Sequence, residues 1–305
     1  MKQYLFSLQH KLTLIFFVTI LSTSGAYSQT LEQQSADLDS IANATTKTTS
    51  AKAVAVANAF DRLMLPFLDA EKIKSTSSSD LNILFRAADM TAFYSEETKY
   101  VKYLQRISEV LEERKLITEE HYKKLYFAFL QVRMLKEADA LLAQRRLSVN
   151  DALPPHREAP DVSAQMPTEW LIEANSLSLL RRNVDIDKGI KIIVASSPGC
   201  HFSRNAVRDI SQDPAMMTVF RKYGKWLVPQ TRHSYFHDIQ KWNRSFPNFQ
   251  MTMVYQRQEW KDIDHWGTPT FYFFKDGKLS SKVTGWPEQG NIKELKNSLK
   301  KIGLL

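Results

Sequence analysis

Residues 189–203, GIKIIVASSPGCHFS, constrain this chain most, because they hold its one cysteine, Cys200, at the end of a run that only a few structures can accommodate. Ile190 to Ala195 is apolar and rich in β-branched residues, and it is bounded by Lys188-Gly189 and Ser196-Ser197-Pro198-Gly199. Such a run reads as a buried strand that ends in a tight turn. Beyond the cysteine, Phe202, Ala206, Val207 and Ile210 recur at helical spacing, which puts Cys200 at the first turn of a helix. Unpaired N–H groups and the positive end of the helix dipole favour a thiolate there. His201, when protonated, and the hydroxyl of Ser203 would act in the same direction. The alternative is a buried, inert cysteine serving as a small hydrophobe.

At the N-terminus, Lys2 and Lys11 precede the apolar run Leu12 to Leu21, and Ala26-Tyr27-Ser28 supplies small residues at the positions a signal peptidase reads. Residues 1–28 are expected to be a secretory signal peptide cleaved after Ser28. The apolar core is short for a membrane span, so no stable anchor is expected after cleavage. The expected location is outside the cytoplasm, in a bacterial periplasm. With a single thiol in an oxidising compartment, no internal disulfide can form. The formal charge of +8 falls by two lysines when residues 1–28 are removed, and the remaining Lys and Arg are mixed with acids, as in Glu112-Glu113-Arg114-Lys115. That pattern is a solvated surface and argues against a nucleic-acid partner.

The length left is ample for two cores. Residues 29–50 are polar and small, a mobile leader or a weak first helix. From Ala51 to Leu147 glycine is absent and helical periods dominate. Asp80 opens a helix with Leu81, Leu84, Phe85, Ala88 and Ala92 on one face. Tyr100, Leu104, Ile107 and Leu111 form a second stripe, and Thr118 caps a third helix running through Leu125, Tyr126 and Phe129. Ala138, Leu141 and Leu142 belong to a last one. Residues 29–147 are therefore expected to be an all-α bundle or helix-hairpin domain, without a clean tetratricopeptide period.

Pro154-Pro155, Pro160 and Pro167 mark residues 148–167 as a linker without helical or strand period, across which few contacts are expected. From residue 168 to 305 strands alternate with helices. Leu177 to Ile186 reads as a strand. Asp213-Pro214 caps a helix, Trp226 to Pro229 is a short strand, Asp238 to Arg244 is helical and Phe249 to Tyr255 is again a strand. Met251 and Met253 on it are read as packing residues, and no metal site is expected. Phe271 to Phe274 and Leu279 to Val283 flank Asp276-Gly277 as a hairpin. Asn291 and Glu294 resemble a capping box opening a terminal helix through Leu295, Leu299 and Ile302.

This second half resembles the thioredoxin fold. The resemblance rests on the strand ending in Cys200-His201-Phe202-Ser203 at a helix start, on Gly267-Thr268-Pro269-Thr270 before a strand, and on the Asp-Gly hairpin and C-terminal helix. It covers roughly residues 170 to 305. It implies an α/β domain with a central mixed sheet flanked by helices. It also implies a cis bond before Pro269, and a partner peptide docked on the backbone of Thr268 with Gly267 and Pro269 beside it. The family's second cysteine is replaced by Ser203, and the Trp usually before the first is Gly199, so a self-contained dithiol cycle is excluded. Cys200-x-Phe202-Ser203 is also similar to the monothiol glutaredoxin motif, but His201 stands where that motif has glycine, which argues against its iron–sulfur cluster; no cofactor is expected. A peroxiredoxin-like reading has Ser197 in its favour and Ile193 against it, where that family has proline. Two functions follow from the resemblance. One is thiol–disulfide exchange through Cys200 with protein thiols or disulfides, completed by glutathione or another external thiol. The other is a non-catalytic interaction protein with a vestigial cysteine.

Overall fold

The computed structural model describes residues 30–45, 49–150, 152–173, 176–232 and 235–305; the signal-peptide reading of residues 1–28 lies outside them. Two kinds of architecture follow one another along the chain.

The first is helical: α1 (Leu31–Asn43), α2 (Thr49–Leu63), α3 (Ala70–Ser75), α4 (Ser78–Ser95), α5 (Thr98–Glu113), α6 (Glu119–Gln131) and α7 (Leu135–Arg145). Sequence periodicity places α4 to α7 correctly, and side-chain caps fix their starts. Ser77, not Asp80, caps α4 by accepting from the Asp80 N–H at 3.1 Å, and Thr118 caps α6 in a capping box completed by His121. Residues 31–43 form a full helix. Thr30 and Gln33 make its capping box, and Leu31, Leu38 and Ala42 are buried in the same core as Phe60, Leu84, Leu104 and Tyr126. Its polar, small-residue composition hid that face.

The second architecture is one mixed sheet with four helices. Its elements are β1 (His156–Glu158), β2 (Thr168–Ile172), β3 (Leu179–Asn183), β4 (Ile190–Ala195), α8 (His201–Ser211), α9 (Pro214–Tyr223), β5 (Gly224–Val228), α10 (Phe236–Ser245), β6 (Met251–Val254), β7 (Thr270–Lys275), β8 (Lys278–Thr284) and α11 (Ile292–Ile302). The strand order is β1-β3-β2-β6-β5-β4-β7-β8. β4, β5 and β6 run parallel, while β7 is antiparallel to β4 and β2 antiparallel to β6. Asp276 and Gly277 both have positive φ in the two-residue turn between β7 and β8, the geometry an Asp-Gly hairpin requires.

Three expectations need correction here. The proline-rich stretch contains β1, whose three exposed residues carry no apolar alternation and pair with β3 in parallel. β2 was not foreseen as a strand because Glu169 interrupts its apolar pattern. That carboxylate is fully buried, and it is held by Arg182 Nε at 2.8 Å, Lys225 Nζ at 2.5 Å and Thr252 Oγ1 at 2.5 Å. The Asn291 side chain caps nothing at α11; its Nδ2 instead donates to the Gly285 carbonyl at 2.9 Å.

The sheet is covered unequally. On one face Ile192, Val194, Trp226, Met251, Met253, Phe271 and Phe273 pack against apolar residues of α8 to α11, such as Val207, Phe220, Trp242 and Leu299. Met251 and Met253 are thus core residues. On the other face Ile193, Leu227, Val254, Tyr272 and Phe274 are covered by Val184, Ile186, Trp260 and Ile263, which come from loops. Among the described residues no helix of this half joins that second core.

The helical half meets the sheet half at the C-terminal ends of β5 and β6, and the contact is polar and well paired. Arg133 donates to the carbonyls of Tyr255 and Val254 at 2.6 and 3.1 Å, and its guanidinium lies 4.4 Å over the Trp170 ring. Arg232 pairs with Asp89 and donates to Gln131 Oε1 at 3.1 Å. Arg257 pairs with Glu96 at 3.0 Å, and the Gln230 amide donates to the Gln131 carbonyl. More crosses between the halves than a polar, proline-rich connection suggests. No described helix is long and apolar enough to cross a membrane.

Candidate active site

Cys200 sits where β4 ends, at the same edge of the sheet that the helical half covers. In open α/β sheets, ligands gather outside the carboxyl ends of parallel strands. After β4, Ser196 N–H bonds to the Leu227 carbonyl at 2.8 Å and Cys200 N–H to the Ser197 carbonyl at 3.1 Å. These bonds close the turn and make Cys200 the N-cap residue of α8. The helix is held in place by Ala206, Val207 and Ile210, all buried against the sheet.

The cysteine is half-buried and has no disulfide partner. Its Sγ lies 3.4 Å from the Thr268 carbonyl oxygen, close enough for the thiol to donate to it. The Thr268–Pro269 peptide bond is cis. Thr270 Oγ1 braces this loop by donating to the Gly267 carbonyl at 2.6 Å. A Cβ on Gly267 would lie 2.3 Å from Nε2 of His265, so a side chain there would require that exposed ring to move. Cys200, Thr268 and Pro269 are therefore brought together from positions 68 and 69 residues apart in sequence.

Ser203, one turn into α8, is fully buried, and its hydroxyl makes no hydrogen bond among the described residues. Burial pushes the Cys200 thiol up, but its interactions with Thr268, Ser203 and Phe202 outweigh it and hold the pKa below its ordinary value. His201 takes no visible part. It is exposed, its ring lies tilted against that of Phe202 with centroids 3.8 Å apart, and no hydrogen bond joins it to the sulfur.

Two grooves flank this centre. One, of about 500 Å³, runs from Gly267 past His265 and Trp266 to Arg257 and Lys282, and Ser50 of α2 closes its far side. Sequence reasoning missed Ser50, Arg257 and His265 as lining residues, because nothing local to them marks a site. The other groove, of about 320 Å³, opens beside Pro198 and Gly199 and runs along α10. The described residues contain no cluster of three or more side chains suited to a metal ion.

Comparison with family models, with curated proteins and with solved structures yields no match. The function therefore has to be argued from the site.

Proposed function

We propose that the chain is an exported thiol–disulfide exchange protein that works through the single nucleophile Cys200, built on a thioredoxin-like fold in its second half. The observation that carries this reading is the placement of Cys200 at the start of α8 with the Thr268 backbone 3.4 Å from its sulfur. A half-buried thiol with its pKa depressed, facing a backbone carbonyl that an extended peptide can pair with, has the parts needed for attack on a disulfide. β4 between parallel β5 and antiparallel β7, the β7–β8 hairpin and α11 support the fold assignment. The strands β6, β2, β3 and β1 extend the sheet further.

In this reading the Cys200 thiolate attacks one sulfur of a partner disulfide, forming a mixed disulfide and releasing the partner's other sulfur as a thiolate. Ser203 supplies no second sulfur, so an external thiol must release Cys200. The helical half, whose Ser50 lines the groove beyond Gly267, shapes the path by which a partner arrives.

The test is to incubate the reduced protein with an oxidised cysteine peptide and look for the adduct by mass. A mixed disulfide on the native protein that disappears in Cys200→Ser is expected. If the thiol fails to react while the protein is folded and reacts only on unfolding, the non-catalytic interaction reading replaces this one.

A further inference from the structure

The groove on the Gly199 side of Cys200 has features of its own. It starts at Pro198 and Gly199, the two residues before the cysteine, and is walled by Asp238, Lys241, Trp242 and Phe246 of α10 and the residue after it. A Cβ placed on Gly199 would meet nothing within 4 Å, so the residue leaves the mouth of the groove open. Arg204 stands at that mouth, with its Nη1 3.3 Å from the Pro198 carbonyl. Neither Arg204 nor Lys241 has a carboxylate partner among the described residues, so two exposed cations face the single carboxylate of Asp238. The floor is aromatic. Trp242 is buried, its Nε1 is tied to the Phe249 carbonyl at 2.8 Å, and its ring lies 4.4 Å from that of Phe246.

We propose that this groove binds the carboxylate-bearing portion of a low-molecular-weight thiol, the external thiol that exchanges with Cys200. The inference rests on the thiol-exchange reading above and adds to it the chemical class of the second substrate and the place it occupies. About 320 Å³ is at the small end of ligand sites, enough for a molecule of a few residues and short for a folded partner's segment. Arg204 and Lys241 against the one carboxylate of Asp238 leave the groove net positive, which selects a net negative ligand. Thr268 does not line this groove, so the two substrates need not compete for it.

The chemistry balances without a further oxidant. The Cys200 thiolate attacks one sulfur of the small disulfide, the Cys200–S bond forms, and the old S–S bond breaks. The departing sulfur carries away the electron pair as a thiolate and takes a proton from solvent. In the return step a second small thiolate attacks the small-molecule sulfur of the mixed disulfide. The small disulfide re-forms and Cys200 leaves as the thiolate.

The experiment measures the rate of adduct formation on Cys200 with three small disulfides: glutathione disulfide (anionic), bis(2-hydroxyethyl) disulfide (neutral) and cystamine (cationic). Each rate is divided by that of the same disulfide with a free small thiol. The native protein is expected to favour the anionic disulfide over the neutral one by about tenfold at low salt, with the preference shrinking as salt rises. Lys241→Glu should abolish that preference while leaving the neutral rate within about twofold. Both Lys241 and the control position Lys222 are exposed, and Lys222→Glu, the same charge change outside the groove, should alter nothing. Absence of the anionic preference, its survival in Lys241→Glu, or its loss in Lys222→Glu would overturn the assignment while leaving the thiol-exchange reading intact. An equal preference for a long acidic cysteine peptide would assign the cations to a protein partner and also overturn it. Failure of all three disulfides to react would sink both readings.

Discussion

The carboxyl edge of the parallel strands carries two polar sites, and they are built in opposite ways. At the junction of the halves, most buried polar groups are partnered, Arg257 Nε being an exception: Gln131 and Gln230 bond to each other's half, Arg232 and Arg257 have their carboxylates, and Arg133 satisfies three carbonyls, those of Leu130, Val254 and Tyr255. At Cys200, a few strands away, the hydroxyls of Ser203 and Ser196 are buried with no partner, and the sulfur is half open to solvent. Satisfied polar groups hold a structure together, because removing one partner strands the other in a low dielectric. Unsatisfied groups beside a reachable nucleophile cost stability and are useful only once charge appears next to them.

Substitution separates these two roles. The largest loss is expected for Arg133→Ala, which leaves the carbonyls of Val254 and Tyr255 without their donor and removes the cation from the Trp170 ring. About 3 kcal/mol is expected, read as a shift in the urea midpoint. A loss below about 1 kcal/mol would mean that the halves are joined by something other than this cluster. Glu96→Gln should cost less, about 1–2 kcal/mol, because it keeps a hydrogen-bonding side chain but leaves Arg257 without a counter-charge. Burial raises the Glu96 pKa, against the pull of Arg257, Arg133 and Gln131, and it lowers that of Arg257. Since a raised carboxylate pKa means that the folded state holds its proton more tightly than the unfolded one, Glu96 opposes folding above its folded pKa. Lowering the pH through the carboxylate range should therefore relieve that cost in the native protein and widen its advantage over Glu96→Gln in urea melts.

Ser203→Ala is expected to be near neutral for stability, since it deletes a buried hydroxyl that makes no hydrogen bond among the described residues. Its effect should appear at the sulfur instead, as an upward shift of the Cys200 titration. A destabilisation as large as that of Arg133→Ala would show that Ser203 belongs with the structural groups.

How far these sites are legible in the sequence follows from the same contrast. The strand, turn, cysteine and helix start are contiguous, and the periodicity of Ile190 to Ile210 reveals them directly. The Thr268-Pro269 loop is legible as a feature before a strand, although its meeting with Cys200 depends on β4 pairing with β7. Most of the junction is not legible. Arg232 and Arg257 stand among polar neighbours, as solvated arginines do, and Arg133 stands between Val132 and Met134; only the folded arrangement turns them toward Asp89, Glu96 and two strand-end carbonyls. Glu169 hides β2 for a related reason, because its partners Arg182, Lys225 and Thr252 come from three other strands. His201 shows the opposite error: adjacency in sequence suggests help for the sulfur, and the ring turns to Phe202.

The most direct test of the account is the rate of alkylation of Cys200 in the folded native protein as a function of pH. The interactions of Cys200 with Thr268, Ser203 and Phe202 predict a single titration with a midpoint below that of an ordinary thiol. Because the folded thiol pKa is depressed, the same group should add stability above the unfolded thiol pKa that is lost as pH falls through the folded one. A midpoint at or above the free value, or a thiol that reacts only when the protein unfolds, would contradict the claim that Cys200 is a nucleophile.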